Sequence, residues 1–310
     1  MTTARMRQVV VSENSIDVVT AEIPQPEERE VAVRSLVTGV CGSDTHAAHG
    51  RHPFIQLPYH PGHEVVGVVE RVAPGVTTVH PGDRVTVEPD LPCWDCKMCT
   101  SGRENLCENL RFFGCGYEQG GMAEYFTIPA DRLHRIPDEM TLAQAALVEP
   151  LSTPVHAVRL AGDVTGKAVA VLGASAAIDA AAPDVVVQVR QALGESADVV
   201  FDCVAIEPTV RQAIGMASKG GTVVIVGVPS AEVSLPLAVV QDHQIRIQGS
   251  ATYLKPDFDE SIELLQTGAV RPEAIITSVL PLDDVATAFS ASSSGEEVKV
   301  LVTIDEDTRL

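Results

Sequence analysis

Four cysteines within a short stretch are the feature that most restricts how this chain folds. They follow the spacing Cys93-x2-Cys96-x2-Cys99-x7-Cys107. Two-residue spacers let successive thiolates converge on one tetrahedral zinc ion, and the fourth cysteine closes a small lobe around it. The alternative, four unpaired buried thiols, does not account for the spacing. Because protein would occupy all four coordination positions, the pattern predicts a structural zinc with no position open to substrate.

The remaining cysteines bear on the redox compartment. The chain holds seven cysteines, an odd number, which favours metal binding in a reducing compartment over a disulfide framework. Cys115 and Cys203 lack the company that the other four have, and we predict that both are core thiols.

Charge and length exclude several classes of protein. The chain has 310 residues, enough for two domains, and its formal net charge is -20. Such an acidic surface argues against nucleic acid or an anionic membrane as the main partner. No apolar stretch approaches the roughly 18 residues of a membrane span, and no secretory signal is visible, so we expect a cytoplasmic protein.

Hydrophobic patterning divides the chain near residue 150. Before it, short apolar runs such as Val31–Val37, Glu64–Val72 and Arg84–Val87 alternate with Pro-Gly turns, which is typical of β structure. After Thr141, helical and β-branched runs alternate, which predicts a parallel α/β sheet. The run Val298–Ile304 is predicted to be a last strand that returns to the first domain. Predicted strands of the second part are Ala168–Leu172, Val199–Cys203, Thr222–Val228 and Ile245–Gly249, and predicted helices are Leu142–Val148, Thr153–Ala161, Pro183–Leu193 and Val210–Ala217.

A second metal site is suggested by residues that lie far apart in sequence. Cys41, His63 and a carboxylate, either Glu64 or Glu149, can form a three-ligand zinc site with an open position for water or substrate. Each residue alone is weak evidence, because a single histidine is more often a core or surface residue.

The order of the motifs resembles a known family. The motifs are Gly39-Val40-Cys41-Gly42-Ser43-Asp44, Pro61-Gly62-His63-Glu64, Pro81-Gly82-Asp83-Arg84-Val85, the four-cysteine lobe, Gly120-Gly121-Met122-Ala123-Glu124-Tyr125 and Val148-Glu149-Pro150-Leu151-Ser152. This order resembles the zinc-dependent medium-chain alcohol and polyol dehydrogenases, especially the sorbitol, 2,3-butanediol and threonine dehydrogenase branch. The resemblance covers nearly the whole chain. It implies an α/β plus β fold, with a GroES-like β-rich catalytic domain at 1–152, completed by 284–310, and a Rossmann-like nucleotide-binding domain at 153–283.

The resemblance also implies roles for individual residues. It assigns Cys41 and His63 as ligands of a catalytic zinc and leaves open whether Glu64, Glu149 or both serve as the carboxylate. The zinc would polarise the oxygen of a secondary alcohol or polyol, and a hydride would pass to the nicotinamide of NAD or NADP.

Further roles that the resemblance implies concern the proton and the substrate. Ser43 would take the hydroxyl proton and pass it to His46 through the cofactor ribose and solvent. The alternatives are a turn hydroxyl for Ser43 and a surface imidazole for His46. Tyr59, Phe112 and Met122 either line the substrate cleft or pack in the core. The other histidines are interpreted as surface or structural residues: His49, His52, His60, His80, His134, His156 and His243.

The nucleotide domain departs from the family pattern just after its first strand. The family places a Gly-x-Gly-x-x-Gly turn there, and this turn opens a helix that binds the pyrophosphate. Here Gly173 is followed by Ser175 and Ile178 where the other two glycines belong. The sequence after Ala174 instead resembles the end of the second helix in the nucleotide-binding domain of the family. Helix one, strand two and most of helix two are therefore missing, roughly 40 residues, a little more than one βαβ unit. A divergent loop is the alternative, but it would not remove whole elements.

This deletion predicts a truncated sheet. Parallel neighbours need a crossover of about a dozen residues, so Ala176–Asp179 cannot dock as a strand beside the first. We expect four parallel strands, with an irregular linker through Pro183 before the next helix. The helix N-terminus for the pyrophosphate and the acidic residue for the adenosine ribose would both be lost. The cofactor positions that survive are Gly173, Cys203, Val204, Val226, Gly227, Val228, Ser250 and Ala251.

Three functional interpretations follow. The first is a zinc- and NAD(P)-dependent oxidoreductase acting on a secondary alcohol or polyol, with cofactor binding impaired. The second is a zinc-binding relative that has lost turnover and acts as a binding or interaction protein, and the third is a non-functional deletion product. Family members commonly form homo-oligomers through the last strands of the nucleotide domain, and both of those strands, Thr222–Val228 and Ile245–Gly249, are present.

Overall fold

The computed structural model describes residues 4–173, 178–229, 231–305, 308 and 310. Their strands are β1 Arg5–Val11, β2 Ile16–Glu22, β3 Glu30–Val40, β4 Val65–Val72, β5 Arg84–Val87, β6 Asp90–Leu91, β7 Arg111–Phe112, β8 Tyr125–Pro129, β9 Leu133–Arg135, β10 Val169–Leu172, β11 Ala197–Asp202, β12 Ala217–Ile225, β13 Arg246–Gly249, β14 Ile276–Pro281 and β15 Lys299–Thr303. Their helices are α1 Gly42–Ala48, α2 Lys97–Thr100, α3 Leu142–Ala145, α4 Val148–Ala161, α5 Val185–Leu193, α6 Glu207–Met216, α7 Leu237–Asp242, α8 Lys255–Gln266 and α9 Val285–Ser293. Among these helices, none has the length and apolar character needed to span a bilayer.

The first compact unit comprises Met1–Ser152 and Leu254–Leu310. Its main sheet has seven strands in the order β14-β15-β3-β4-β5-β9, and β8 also pairs with β3. The strand β15 runs antiparallel to β3 and places Val300 opposite Val40 and Leu301 opposite Gly39. The predicted return of the last strand to the first domain is therefore observed.

The boundary between the units differs from the sequence prediction. Residues 254–283 belong to the first unit, whereas the sequence analysis assigned them to the nucleotide-binding domain. The reason is the packing of α8: its Phe258 ring stacks on His134 with the ring centroids 4.4 Å apart. Farther along α8, Ser261 Oγ lies 3.2 Å from Ser152 Oγ. Strand β14 adds to the same sheet by pairing in parallel with β15.

The second compact unit, Thr153–Tyr253, holds a four-stranded parallel sheet. Its strands follow one another in the order β10-β11-β12-β13, and every pair is parallel. This is the truncated sheet that the sequence predicts. Ala174, Ser175, Ala176 and Ala177, which carry part of that prediction, lie outside the described residues. Residues 178–184 form turns and bends, and α5 begins only at Val185.

The two faces of this sheet are covered differently. On one face, Ala170, Val200 and Val223 pack in a cluster with residues of α5 and α6, including Val185 and Ile214. On the other face, alternate strand residues pack in a smaller cluster with α4; these are Val199, Phe201 and Val224, with Ala157 and Ala161 from the helix. The strand β10 lies at the edge of this sheet, and its residue Val171 is 51% exposed.

Candidate functional site

The four-cysteine lobe has the geometry of a closed tetrahedral site. The sulfurs of Cys93, Cys96, Cys99 and Cys107 all lie within 4.8 Å of one another. The Sγ atom of Cys99 is 3.5 Å from that of Cys96 and 4.0 Å from that of Cys93. Four sulfurs at the usual zinc–sulfur distance of about 2.3 Å are about 3.8 Å apart, so these spacings suit zinc. We therefore keep the structural-zinc assignment as our proposal for these ligands.

Main-chain N–H groups donate hydrogen bonds to the sulfur atoms of the lobe and favour their thiolate form. The N–H of Cys93 donates to Cys107 Sγ at 3.2 Å, and the N–H of Asn109 donates to the same sulfur at 3.3 Å. Hydrogen bonds from the main chain of Asp95 and Cys96 lower the pKa of Cys93 to about 6. A thiolate is the form that binds zinc, so these bonds favour the ligand state.

A second cluster forms where β3 ends and β4 begins. Cys41 follows β3, His63 and Glu64 precede β4, and ligand atoms of the three lie within 4.8 Å of one another. His63 and Glu64 are buried, and Cys41 is partly buried. Their positions follow from the antiparallel pairing of β3 with β4, which joins Thr38 to Val65. Glu149, in the first turn of α4, is also buried and lies within electrostatic range of His63.

Asp44 organises this cluster, a role that the sequence analysis did not assign. Its carboxylate is fully buried and accepts hydrogen bonds from the Cys41 N–H at 3.0 Å and the Tyr59 hydroxyl at 3.1 Å. The oxygen that accepts from Cys41, Asp44 Oδ2, also lies 4.0 Å from His63 Nδ1. Burial raises the pKa of Asp44, while His63 opposes that shift. The sequence signal was an acidic residue three positions after the N-cap of α1.

Lys299 is the second residue that the sequence analysis missed. It lies on β15, and its ammonium donates to Glu64 Oε1 at 2.6 Å and to Glu64 Oε2 at 2.8 Å. Burial alone would lower the pKa of Lys299, but Glu64 and Cys41 raise it well above its ordinary value. Nothing near Glu64 in the sequence points to this partner, because the two residues come from distant strands.

The predicted proton-path residues lie on one short helix. Ser43 and His46 are three residues apart in α1, a spacing that puts them on the same side of a helix. Ser43 is partly buried and His46 is exposed. The Ser43 side chain lies beside the thiol of Cys115, and Cys115 is within electrostatic range of His63 and Cys41. The prediction of a core thiol for Cys115 misses this position beside the cluster.

The three aromatic or apolar residues suggested for the substrate cleft lie in two different environments. The Phe112 ring packs edge-on against His63, with centroids 5.5 Å apart, so Phe112 lies beside the cluster. Tyr59 and Met122 are buried members of a hydrophobic core. Core packing is therefore the interpretation that the structure favours for the last two, while Phe112 remains a candidate for the cleft.

The predicted cofactor residues lie at the carboxyl ends of the strands in the four-stranded sheet. Each follows the carboxyl end of a strand: Gly173 after β10, Cys203 and Val204 after β11, Val226, Gly227 and Val228 after β12, and Ser250 and Ala251 after β13. A Cβ built on Gly173 would lie 3.0 Å from Val204 Cγ2, and one on Gly227 would lie 2.7 Å from the Val204 carbonyl carbon. The loops after β10, β11 and β12 therefore touch one another. Cys203 is exposed, so the prediction of a core thiol is wrong there; it sits in a loop beyond the strand end.

Two family models match successive parts of the chain. The alcohol dehydrogenase GroES-like domain matches residues 27–138, and the zinc-binding dehydrogenase domain matches residues 160–267. The probable D-xylulose reductase A of Aspergillus terreus is 31% identical over 327 aligned positions, which cover 90% of this chain and 93% of the relative. The chain belongs to the zinc-dependent medium-chain alcohol and polyol dehydrogenases. That alignment has more positions than this dehydrogenase has residues, so the relative carries segments that this chain lacks.

Solved structures of other dehydrogenases share the fold. A putative zinc-binding dehydrogenase from Sinorhizobium meliloti, bound to NADP, aligns with a TM-score of 0.88 and 30% identity, covering 97% of this chain and 100% of its own. The 2R,3R-butanediol dehydrogenase from Bacillus subtilis aligns with a TM-score of 0.87 and 26% identity, with coverages of 97% and 100%. The family predicted from the sequence is thus confirmed.

The zinc ions fit the donor sets of this dehydrogenase. Four thiolates suit a closed structural site, and one thiolate, one imidazole and a carboxylate suit a catalytic site with an open position. The ring atom His63 Nδ1 is buried without a hydrogen-bond partner, and the Asp44 carboxylate faces it. A carboxylate behind a metal-binding histidine is the arrangement that orients such a ligand.

A dinucleotide fits the described residues only in part. The strand-end loops expected at the nicotinamide end are present, and Ser250 Oγ is buried there without a hydrogen-bond partner. Within the described residues, no helix begins between Gly173 and Val185, so none presents free N–H groups to a pyrophosphate. Dinucleotides bind where the strand order of a parallel sheet reverses, and the order β10-β11-β12-β13 has no reversal. The adenosine half of the cofactor therefore lacks its usual support in the described part of the chain.

Proposed function

We propose that this dehydrogenase is a zinc-dependent oxidoreductase that interconverts a secondary alcohol or polyol and the corresponding ketone, with a nicotinamide cofactor as hydride partner. The observation that carries the proposal is the buried cluster of Cys41, His63 and Glu64, with Ser43 on the adjoining helix. The family membership supports the reaction class. D-xylulose reductase and butanediol dehydrogenase among its relatives support a polyol or diol as the substrate.

We assign metal binding, ligand orientation and proton transfer to different residues of the chain. Cys41 and His63 would hold the catalytic zinc with Glu64 or Glu149, and Asp44 would orient both Cys41 and His63 through its contacts. A bound zinc supplies Lewis-acid polarisation, which makes the alcohol hydroxyl more acidic. The Ser43 Oγ atom would accept the hydroxyl proton, and the exposed His46 imidazole would hand it to solvent. This division keeps proton transfer on α1 and metal binding at the strand ends.

A second function is favoured by the truncated sheet. A zinc-binding relative without turnover would need the metal sites but not a full dinucleotide site, and the described residues match that requirement. Such a protein would act as a binding or interaction protein, alone or as a homo-oligomer. The two functions differ in one measurable property, which is alcohol-dependent reduction of a nicotinamide cofactor by the zinc-loaded protein.

Variants of the catalytic cluster test the first function. In any alcohol- or polyol-dependent activity, Cys41→Ser and His63→Ala should remove turnover, because each deletes a proposed metal ligand. Ser43→Ala should lower kcat by about 10²-fold or more, the usual scale for a positioned proton-transfer group. The measurement is initial-rate kinetics with a polyol panel and saturating cofactor, together with the zinc content of each variant.

The matched control for Ser43→Ala is Ser290→Ala, which removes an exposed serine from another helix, α9. It should leave the rate unchanged. If all three cluster variants turn over like the parent protein, the activity does not use this metal site and the proposed function fails.

A further inference from the structure

A cavity of about 370 Å³ opens in the first unit, between residues of β1, β3 and β8 and the end of β15. Among the described residues, those that line it are distinct from the ligands of both metal clusters. We propose that this cavity is a second small-molecule site, which binds a neutral polyol through hydrogen bonds to its hydroxyl groups. The inference goes beyond the proposed function, because it requires neither zinc nor turnover.

The cavity arises because β3 changes its partner along one edge. The first half of β3 pairs with β8, up to Arg34 opposite Tyr125, and its last residues pair with β15, from Val37 onwards. The register with β4, on the other edge, also shifts between Ser35 and Val37. A gap therefore remains beside Ser35, between the start of β8 and the end of β15. Ser35 lies six residues before Cys41, roughly 20 Å away at the usual rise of a strand.

The side chain of Ser35 carries the observation that points to a ligand. Ser35 lines the cavity and is 1% exposed, and its Oγ atom is buried without a hydrogen-bond partner. The main-chain N–H of Ser35 donates to the Glu124 carbonyl oxygen at 3.0 Å, which fixes the residue in the strand. A buried hydroxyl without a partner is costly, so a ligand that supplies one gains from the contact.

Two further groups that line the cavity have hydrogen-bonding capacity to spare. Within the described part of the chain, the Tyr125 hydroxyl makes no hydrogen bond, and Arg34 donates one, to Asp305 Oδ2 at 2.7 Å. A guanidinium group has five N–H donors, and a hydroxyl both donates and accepts. The buried Ile304 adds apolar surface for the carbon chain of a ligand. Apolar walls with a few placed polar groups are typical of small-molecule sites.

The charges that line the cavity are balanced. Arg7 Nε lies 2.9 Å from Glu124 Oε1, and Arg34 Nη1 lies 2.7 Å from Asp305 Oδ2. An anion would meet the two carboxylates of these pairs, and a cation would meet the two guanidinium groups. A neutral molecule with several hydroxyl groups can bind beside both pairs without separating either of them.

Carboxylates farther out make an anionic ligand still less favourable. Asp283 Oδ1 lies 3.3 Å from Arg7 Nη1, and Glu70 Oε2 lies 3.9 Å from Arg34 Nε. Together with the net charge of -20, these carboxylates repel a ligand that carries a carboxylate or phosphate. A cation would have to compete with the guanidinium groups for the same oxygens. The ligand class that suits the cavity is therefore a neutral polyol.

The variants Ser35→Ala and Ser35→Val test the site, with D-sorbitol as the probe. Binding is measured by saturation-transfer NMR titration of the full chain, both in the parent protein and in Cys41→Ser, which lacks a ligand of the catalytic site. We expect Cys41→Ser to bind D-sorbitol with a dissociation constant of about 1 mM. Adding Ser35→Ala should weaken this binding about threefold to tenfold, the scale of one lost hydrogen bond. Adding Ser35→Val, which puts methyl groups in place of the hydroxyl, should remove it.

The matched control is Ser278→Val, because Ser278 is a partly buried serine on β14 of the same sheet and lies outside the residues that line the cavity. It should bind D-sorbitol as Cys41→Ser alone does. Ser35→Ala removes only one oxygen atom, so it decides the question by itself if Ser35→Val fails to fold.

Two charged analogues of the probe test the ligand class. D-gluconate, which carries a carboxylate, should bind to Cys41→Ser at least about tenfold more weakly than D-sorbitol. D-glucamine, which carries an ammonium group, should bind no more tightly than D-sorbitol. Tighter binding of either analogue would mean that ion pairing holds the ligand, and the assignment to a neutral polyol would be wrong.

The outcomes separate this site from the proposed function. If Cys41→Ser does not bind D-sorbitol, or binds it equally well with and without Ser35→Val, water alone satisfies the Ser35 hydroxyl and the polyol site is overturned. Neither result touches the catalytic cluster. Conversely, turnover that survives Cys41→Ser and His63→Ala would overturn the proposed function, while D-sorbitol binding that depends on Ser35 would still support the second site.

Discussion

Zinc-loaded protein is expected to bind NADH and NADPH at least about a hundredfold more weakly than an intact relative, a loss of a few kcal/mol. The physical reason is the sheet. No helix begins between Gly173 and Val185 in the described residues, so the pyrophosphate lacks a row of N–H donors. The single direction of the strand order also removes the crevice in which a dinucleotide lies.

The same reasoning predicts an unusual ratio between the affinities for NADH and for reduced nicotinamide mononucleotide. If the adenosine half contributes little, reduced nicotinamide mononucleotide should bind about as tightly as NADH. Calorimetric titration of both compounds measures the ratio directly. The control is the same pair of titrations on the butanediol dehydrogenase from Bacillus subtilis, a structural neighbour that the chain resembles over its length.

Micromolar binding of NADH with much weaker binding of the mononucleotide would contradict this prediction. It would mean that residues of this chain recognise the adenosine and pyrophosphate by an arrangement that the parallel sheet does not reveal. Absence of binding by either compound at millimolar concentration would instead favour the zinc-binding relative without turnover.

Cys96→Ser is expected to have the other large effect. It removes one of four thiolates from the lobe, and metal binding by such a site is coupled to its folding. We expect the zinc content to fall from about two ions per chain to about one and the free energy of unfolding to fall by more than about 4 kcal/mol. Trp94, the only tryptophan of the chain, lies within the lobe and stacks on Arg132 at 4.8 Å, so its fluorescence reports on lobe unfolding.

The matched control is Cys203→Ser, because Cys203 is an exposed cysteine that belongs to neither metal cluster. It should keep both zinc ions and the parent urea midpoint. If Cys96→Ser keeps two zinc ions and the stability of Cys203→Ser, the lobe does not bind a structural zinc. Elemental analysis together with urea unfolding followed by tryptophan fluorescence provides the measurements.

Local features were predictable from the sequence. The four-cysteine lobe spans residues 93–107, so its ligands are brought together by short spacers and few other contacts. Strand β5 was predicted with its observed bounds, Arg84–Val87, because an apolar run ends at turn residues on both sides. Among the described residues, α5 is the one helix between β10 and β11, and it was predictable because the segment after Gly173 is too short for the missing elements.

Contacts between distant segments were decided only by the tertiary structure. The sequence left Glu64 as one of two candidate carboxylates, and its partner Lys299 became visible only when β15 paired with β3. Cys203 was predicted to be buried and is exposed, because its strand ends one residue earlier and leaves it in a loop. Likewise, α8 packs with the first unit because its Phe258 ring stacks on His134, a contact that no local sequence pattern predicts.

The division has a physical basis. Ligand spacing, turn residues and hydrophobic period act over a few residues, so the sequence by itself determined the four-cysteine lobe, the family and the four parallel strands among the described residues. Strand register and the burial of charged side chains depend on which segments meet across a sheet. The tertiary structure alone therefore decided that Asp44 supports Cys41 and His63, and that Glu64 lies between Lys299 and the main chain of Gly39.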